Sequence, residues 1–154
     1  MTVTFGVEGR VFVADEFFDS ECQTLVNAVN CVGVMGAGIA LEFKKRYPEM
    51  YADYRSRCEH ENVRVGHPYL WRGIERNILN FPTKVHWTEQ SSIAGIEQGL
   101  EYFMHNYEHW GVTSAAFPAL GCGCGGRDWP EVRGVMIRHL SSCKIPVHVY
   151  PPMG

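Results

Sequence analysis

A chain of 154 residues with a formal net charge of −3 is long enough for one domain with a substantial core, and it carries no broad basic surface of the kind that coats nucleic acid. Hydrophobic residues make up 45% of it, which is ordinary for a globular protein. No part reads as disordered, and no apolar run reaches the ~18 residues that a membrane span needs. A small site for one nucleotide is compatible with this balance.

The start, "MTVTFGVEGR", has no basic stretch leading into an apolar one. No secretory signal is therefore expected, and a cytoplasmic protein without membrane association is. In that setting the six cysteines, Cys22, Cys31, Cys58, Cys122, Cys124 and Cys143, read as reduced thiols. Cys122 and Cys124 form a C-x-C between glycines with no second pair, which is not zinc-ligand spacing. The plainer reading is that small side chains let two backbones approach something, so no metal is predicted.

Taken in chain order, "VTF" and "VFV" near the start read as strands, and "TLVNAV" (24–29) reads as a buried one. Ile39, Leu41 and Phe43 mix with lysines on a helical pattern from Gly38 to Tyr47, which Pro48 ends. "PEMYADYRSRCE" is a second helix with Pro48 in its first turn. "HPYLW" and "RNILNF" form a strand pair across a turn at Arg72 and Gly73. Ile93, Ile96, Leu100, Phe103 and Tyr107 recur at helical spacing. "TSAAF" is a buried strand, and "PVHVY" closes the chain as another. Between them, Asp128 followed by Glu131 predicts a capping box at the start of a helix carrying Val132, Val135, Met136 and Leu140. Buried strands alternating with helices indicate an α/β fold with helices on both sheet faces.

Two glycine-rich stretches, "VNCVGVMGAGIALEF" and "PALGCGCGGRDW", each follow a buried strand and precede a helix. In an α/β sheet that position lies outside the carboxyl ends of strands, where ligands bind. Glycine permits positive φ and close backbone approach, so successive N–H groups can converge on an anion at a helix N-terminus. Two such loops suit a diphosphate; the alternative is a pair of tight turns. Neither loop has the Gly-Lys-Ser/Thr of a P-loop. Gly121, Gly123 and Gly126 do fit G-x-G-x-x-G, but only 28 residues follow, too few for a second mononucleotide-binding half. The first loop, Gly33, Gly36 and Gly38, has the wrong order for that pattern.

The run "VNAVNCVGVMGAGIALEFKKRYP", then "NFPTKVHW", then "ALGCGCGG" before "DW", resembles the macrodomain family of ADP-ribose-binding proteins. Within it the chain is most similar to the DarG-type DNA ADP-ribosyl glycohydrolase antitoxins, and more distantly to the terminal ADP-ribose protein glycohydrolase. The resemblance spans nearly the whole chain and implies a single macrodomain over residues 1–154. The fold it implies is a three-layer α/β/α sandwich with a mixed, roughly six-stranded sheet. It implies that Cys31, Val32, Gly33, Val34, Met35, Gly36 and Gly38 wrap a diphosphate and distal ribose from one side. Leu120, Gly121, Cys122, Gly123, Cys124 and Gly125 would wrap it from the other, with Arg10, Val11, Thr83 and Pro118 completing the ADP-ribose-binding set. Where macrodomains commonly carry Gly-Asp to meet the adenine amino group, this chain has Gly9-Arg10. An arginine cannot accept that hydrogen bond, though it can stack on the base.

The same resemblance implies chemistry. Asn30 carries an amide that donates and accepts, which suits ribose hydroxyls; the bland reading is a loop-capping Asn. Lys84 matches the lysine of "FPTK", which separates it from an ordinary surface charge. It either stays cationic and stabilises a departing base, or attacks the anomeric carbon as an amine. Gly125 stands where the protein glycohydrolase has its catalytic Asp, and DarG-like proteins also have glycine there. Asp128 lies nearby but reads as a helix cap. His86 and Trp87 are placed to stack on a nucleobase, with core packing as the alternative for Trp87 and more so for Trp71. The implied activity is removal of ADP-ribose from DNA, from thymidine in particular, without a cofactor. The partners would be ADP-ribose, ADP-ribosylated single-stranded DNA and a cognate ADP-ribosyltransferase toxin, with the chain itself a monomer. Rival readings are hydrolysis of ADP-ribose esters on protein carboxylates or of O-acetyl-ADP-ribose, and a non-catalytic ADP-ribose reader. Antitoxins of this type usually carry a further toxin-binding region, so the chain is either a piece of one or a stand-alone form.

Overall fold

A computed structural model describes residues 3–6 and 13–153. Arg10 and Val11, with most of the strand expected at "VFV", lie outside the described residues. In chain order the elements are β1 (Val3–Phe5), α1 (Ala14–Phe18), β2 (Thr24–Val29), α2 (Gly38–Arg46), α3 (Pro48–Glu59), β3 (Tyr69–Arg72) and β4 (Asn77–Pro82). They continue with α4 (Ile93–Asn106), β5 (Ala115–Phe117), α5 (Trp129–Leu140) and β6 (Val147–Val149).

The strands form one six-stranded sheet in the order β1-β6-β5-β2-β4-β3. All neighbours are parallel except β3, which runs antiparallel along β4 with Leu70 opposite Leu79. The mixed sheet expected from the sequence is therefore parallel with one antiparallel edge. Successive side chains of a strand point to opposite faces, and both faces are covered. On one face Val26, Leu79, Phe81, Ala115 and Phe117 pack with Ile96, Leu100 and Phe103 of α4 and Val132 and Met136 of α5. On the other, Leu25, Val29, Ile78 and Ala116 pack with Phe17 of α1, Phe43 of α2 and Met50 and Tyr54 of α3. The result is the three-layer α/β/α sandwich.

The short helix α1 is missing from the sequence reading. Its five residues, "ADEFF", are too few for periodicity and have no side-chain cap, and what holds them is tertiary. Phe17 and Phe18 are buried and meet each other, Phe43 and Tyr150 edge-on. The predicted capping box at α5 is also corrected. Asp128 occupies the N-cap position, but its side chain makes no cap hydrogen bond. Glu131 instead receives a hydrogen bond from Arg127 at 2.8 Å. The guanidinium, four residues earlier on the exposed side, competes for the carboxylate that the box would need. Trp71, as expected, packs into the second core cluster.

What positions the site is the strand order. β5 and β4 flank β2, so the segments leaving the carboxyl ends of these three neighbours converge, although they are far apart in sequence. Chain connections from β2 pass to one side of it through β4 and return to the other side through β5, which opens a crevice at that point.

The approach of α4 to the sheet allows no side chain at one position. A Cβ at Gly99 would lie 2.6 Å from Cε1 of Phe81. Gly99→Ala should lower unfolding stability by about 1–3 kcal/mol through overpacking, despite the roughly 1 kcal/mol that Ala contributes in helix propensity. Denaturant titration measures it; unchanged stability would show that α4 can lift away from Phe81.

Candidate active site

The three converging segments enclose a cleft of about 770 Å³. Of the residues singled out in the sequence, Asn30, Val34, Gly36, Gly38, Thr83, Lys84, Trp87, Pro118, Gly121, Cys122, Gly123, Cys124 and Gly125 line it. Cys31, Val32, Gly33, Met35, Leu120 and His86 do not line it. Met35 and Leu120 are buried beneath the loops as apolar anchors.

The first loop is organised around Asn30. Its side-chain oxygen accepts the amides of Val32 at 3.0 Å and Val34 at 3.4 Å, and its amide nitrogen donates to the Val34 carbonyl at 2.7 Å. Tyr54 of α3, fully buried, donates its hydroxyl to both the side-chain and backbone oxygens of Asn30, at 2.8 and 2.9 Å. Burial, with Cys58 nearby, pushes the Tyr54 phenol far above its ordinary range, so it remains a donor. Asn30 thus caps the loop. Its acceptor capacity is engaged, and one N–H remains for a ligand, rather than a donor and an acceptor together. Gly33 and Gly38 take φ values of +88° and +57°, which only glycine adopts freely. The loop feeds straight into α2, whose N-cap Ala37 has no capping side chain and whose first turn has no acid. Its free N–H groups and positive helix end face the cleft through Gly36, Ala37 and Gly38.

The second loop is held as tightly. Gly125 accepts the Ser91 amide through its carbonyl at 2.8 Å. A Cβ added to it would lie 2.6 Å from the Gly121 carbonyl oxygen and collide with the Ser91 hydroxyl. Ser91 in turn bonds Thr83 between their hydroxyls at 2.9 Å. No side chain fits at position 125, so the absence of a carboxylate there is enforced by packing. Gly123, by contrast, faces open space. Ser91 went unremarked in the sequence because its role depends on a partner from the far loop.

Lys84 stands where the three segments meet. It is only 8% exposed, and its Nζ donates to the carbonyl oxygens of Trp87 and Cys124, both at 3.1 Å. Its own carbonyl accepts from Cys31 Sγ at 3.5 Å. Among the described residues no carboxylate pairs with it. Trp87 is 53% exposed at the mouth of the cleft, which removes the core-packing reading. His86 lies outside the cleft and packs on Trp87 with ring centroids 5.3 Å apart.

Several lining residues carry no signal in the sequence. Ala14, Pro151, Pro152 and Met153 form a wall from two chain segments whose residue types are chemically silent. The cysteines are free thiols. Burial, assisted by Cys58, raises Cys31 to about 11; burial and the negative charge of Asp128 raise Cys122 to about 12. Among the described residues no three His, Cys, Asp or Glu side chains gather as a metal site, and no helix is long and apolar enough to cross a membrane.

A three-layer sandwich with a ligand cleft between two glycine loops at the switch point of the sheet is the macrodomain architecture. The chain belongs to the Macro domain family, whose pattern matches residues 26–136. The macrodomain of Mycobacterium tuberculosis DarG superposes with a TM-score of 0.87 at 35% identity, covering 97% of both chains. The structure of Thermosipho africanus DarTG in complex with ADP-ribose matches with a TM-score of 0.87 at 38% identity over 98% of this chain and 42% of that one. Among curated proteins, the DNA ADP-ribosyl transferase-DNA ADP-ribosyl glycohydrolase fusion protein of Thermosipho africanus is 39% identical over 92% of this chain. The chain spans about two fifths of the length of the curated relatives it matches.

The raised thiols give a direct check. With Cys31 moved from 9.0 to about 11, its thiolate fraction at pH 8 falls about a hundredfold, and reactivity follows the thiolate. Iodoacetamide footprinting by mass spectrometry should find Cys31 and Cys122 at least about a hundredfold slower than a thiol in the denatured chain, recovering as pH rises towards about 11 for Cys31 and about 12 for Cys122. Equal rates would mean the two loops are open to solvent.

Proposed function

We propose that the chain removes ADP-ribose from ADP-ribosylated DNA, thymidine-linked in the first instance, by hydrolysing the N-glycosidic bond at the distal ribose. The names of its relatives support this, as does a cleft that offers helix and loop amides to a diphosphate. The observation that carries it is the buried Lys84 ammonium, fixed between the Trp87 and Cys124 carbonyls in a cleft without an acid at position 125.

In this reading the loop amides from Gly36 to Gly38 and Gly123 to Gly125 hold the diphosphate, and the free N–H of Asn30 orients a hydroxyl of the distal ribose. Cleavage passes through an oxocarbenium-like state as the bond from the anomeric carbon to the base nitrogen breaks. An imide nitrogen leaves as a delocalised anion, which a cation stabilises without help from a carboxylate. Water then adds to the anomeric carbon, and its proton ends on the base. Of the two roles open to Lys84, the geometry favours the cation. Two carbonyl acceptors take two of the ammonium N–H groups and leave one for the departing base. Trp87, exposed at the mouth, is placed to stack on a flanking base, a contact worth about 1–3 kcal/mol.

No metal or redox cofactor is used in this scheme. The fused transferase in the relative's name supports a cognate ADP-ribosyltransferase as functional counterpart. Ester hydrolysis on protein carboxylates is disfavoured by the same packing that excludes a side chain at Gly125.

The test is release of ADP-ribose from an oligonucleotide carrying it on thymidine. Wild type should turn over, and Lys84→Ala should lose on the order of 10²–10³ in rate while still binding ADP-ribose. Sodium borohydride added during turnover should trap no ADP-ribosyl-lysine adduct by mass spectrometry. No release by wild type, full release by Lys84→Ala, or a trapped adduct at Lys84 would overturn the reading or its mechanism.

A further inference from the structure

Of the two hydrogen bonds that hold the Lys84 ammonium, the one to the Cys124 carbonyl crosses between loops, at 3.1 Å. The one to Trp87 stays within the segment after β4 and follows any shift of that segment. A lysine side chain has many rotamers to lose. Its place against the second loop therefore depends on what fixes the two backbones to each other.

Ser91 joins those backbones one residue away from each end of the crossing contact. Its hydroxyl hydrogen-bonds the hydroxyl of Thr83, the residue before Lys84, at 2.9 Å. Its amide donates to the carbonyl of Gly125, the residue after Cys124, at 2.8 Å. Lys84, Cys124, Gly125, Ser91 and Thr83 thus close a ring of contacts. Ser91 and Thr83 are each 2% exposed, so water competes little for the bond between them.

Helix capping does not occupy the Ser91 hydroxyl. The N-cap of α4 is Ser92, whose own side chain accepts the Gly95 amide at 3.0 Å. Nor does packing alone call for it. The hydroxyl already crowds the second loop: a Cβ at Gly125 would collide with it, and a Cβ at Gly121 would lie 3.3 Å from it. An alanine would fill the same place with more room. What the hydroxyl adds is the bond to Thr83.

We infer that Ser91 is a positioning residue for the cleavage: by tying Thr83 to Gly125 it holds the Lys84 ammonium in register with the Cys124 carbonyl. This rests on the reading of Lys84 given above. Ser91 lines the cleft, but its hydroxyl and amide are engaged by Thr83 and Gly125, and it acts on the reaction through them. Opening the ring lets the two loops shift against each other, and a displacement near 1 Å at a reacting group costs about a hundredfold in rate.

The experiment compares Ser91→Ala with wild type in three measurements: ADP-ribose release from the thymidine-modified oligonucleotide, calorimetric titration with ADP-ribose, and reductive methylation of lysines read by mass spectrometry. Both backbone bonds, Ser91 to Gly125 and Ser92 to Thr83, survive the change, so the variant should fold. Its kcat should fall by about tenfold to a hundredfold, the Kd for ADP-ribose should stay within about threefold, and Lys84 should be methylated faster than in wild type. Thr83→Val opens the ring from the other side and serves in its place if Ser91→Ala does not fold. The double variant should be no slower than the slower single one, because both remove the same bond. Gln90→Ala removes another side-chain tie to the second loop, to the Gly126 carbonyl at 3.1 Å, and should keep the wild-type rate. Wild-type turnover by Ser91→Ala, a Kd that weakens in step with kcat, unchanged methylation of Lys84, losses that add in the double variant, or an equal fall in Gln90→Ala would overturn the assignment and leave the proposed function standing. No release by wild type would overturn both.

Discussion

One ammonium group holds the site together. Lys84 Nζ is nearly buried and, among the described residues, has no carboxylate partner, yet a buried charge is costly unless polar partners surround it. Its partners are the carbonyls of Trp87 and Cys124, one from the loop after β4 and one from the loop after β5. The Lys84 carbonyl receives the Cys31 thiol, and the next residue, Val85, receives the Cys31 amide, which ties in the loop after β2. Three segments distant in sequence are thereby fixed around one positive charge.

That arrangement explains why the glycines lie where they do. Gly125 and Gly121 press against Ser91, Ser91 bonds Thr83, and Thr83 precedes Lys84. A side chain at position 125 would displace Ser91 and with it the strand end that carries the lysine. The same packing excludes the carboxylate that a more demanding leaving group would require. Substrate class is on this view a consequence of backbone approach.

Much of the fold was readable from the sequence, and the reason is local. The start of α3 is set by Pro48, α4 by its apolar period, and β2 and β4 by largely apolar runs, signals that tertiary packing reinforces. The site was readable where glycine pattern and family resemblance coincide, as at Gly36, Gly38, Lys84 and Gly123. What escaped depends on contacts across the fold. The helix α1 exists because Phe17 and Phe18 find Phe43; the box at Asp128 fails because Arg127 takes Glu131. Ser91 and Tyr54 gain meaning only from what the fold brings beside them. Asn30 shows both sides: its importance was readable, but its acceptor is spent on Val32, Val34 and Tyr54, which no spacing reveals.

The most direct measurement is a crystal structure with ADP-ribose bound. The account predicts diphosphate oxygens about 3 Å from the amides of residues 36–38 and 123–125. It also predicts Lys84 Nζ still on the Cys124 carbonyl and facing the side of the anomeric carbon from which the base departs. A diphosphate bound away from the glycine loops, or a Lys84 side chain turned out of the cleft, would contradict it.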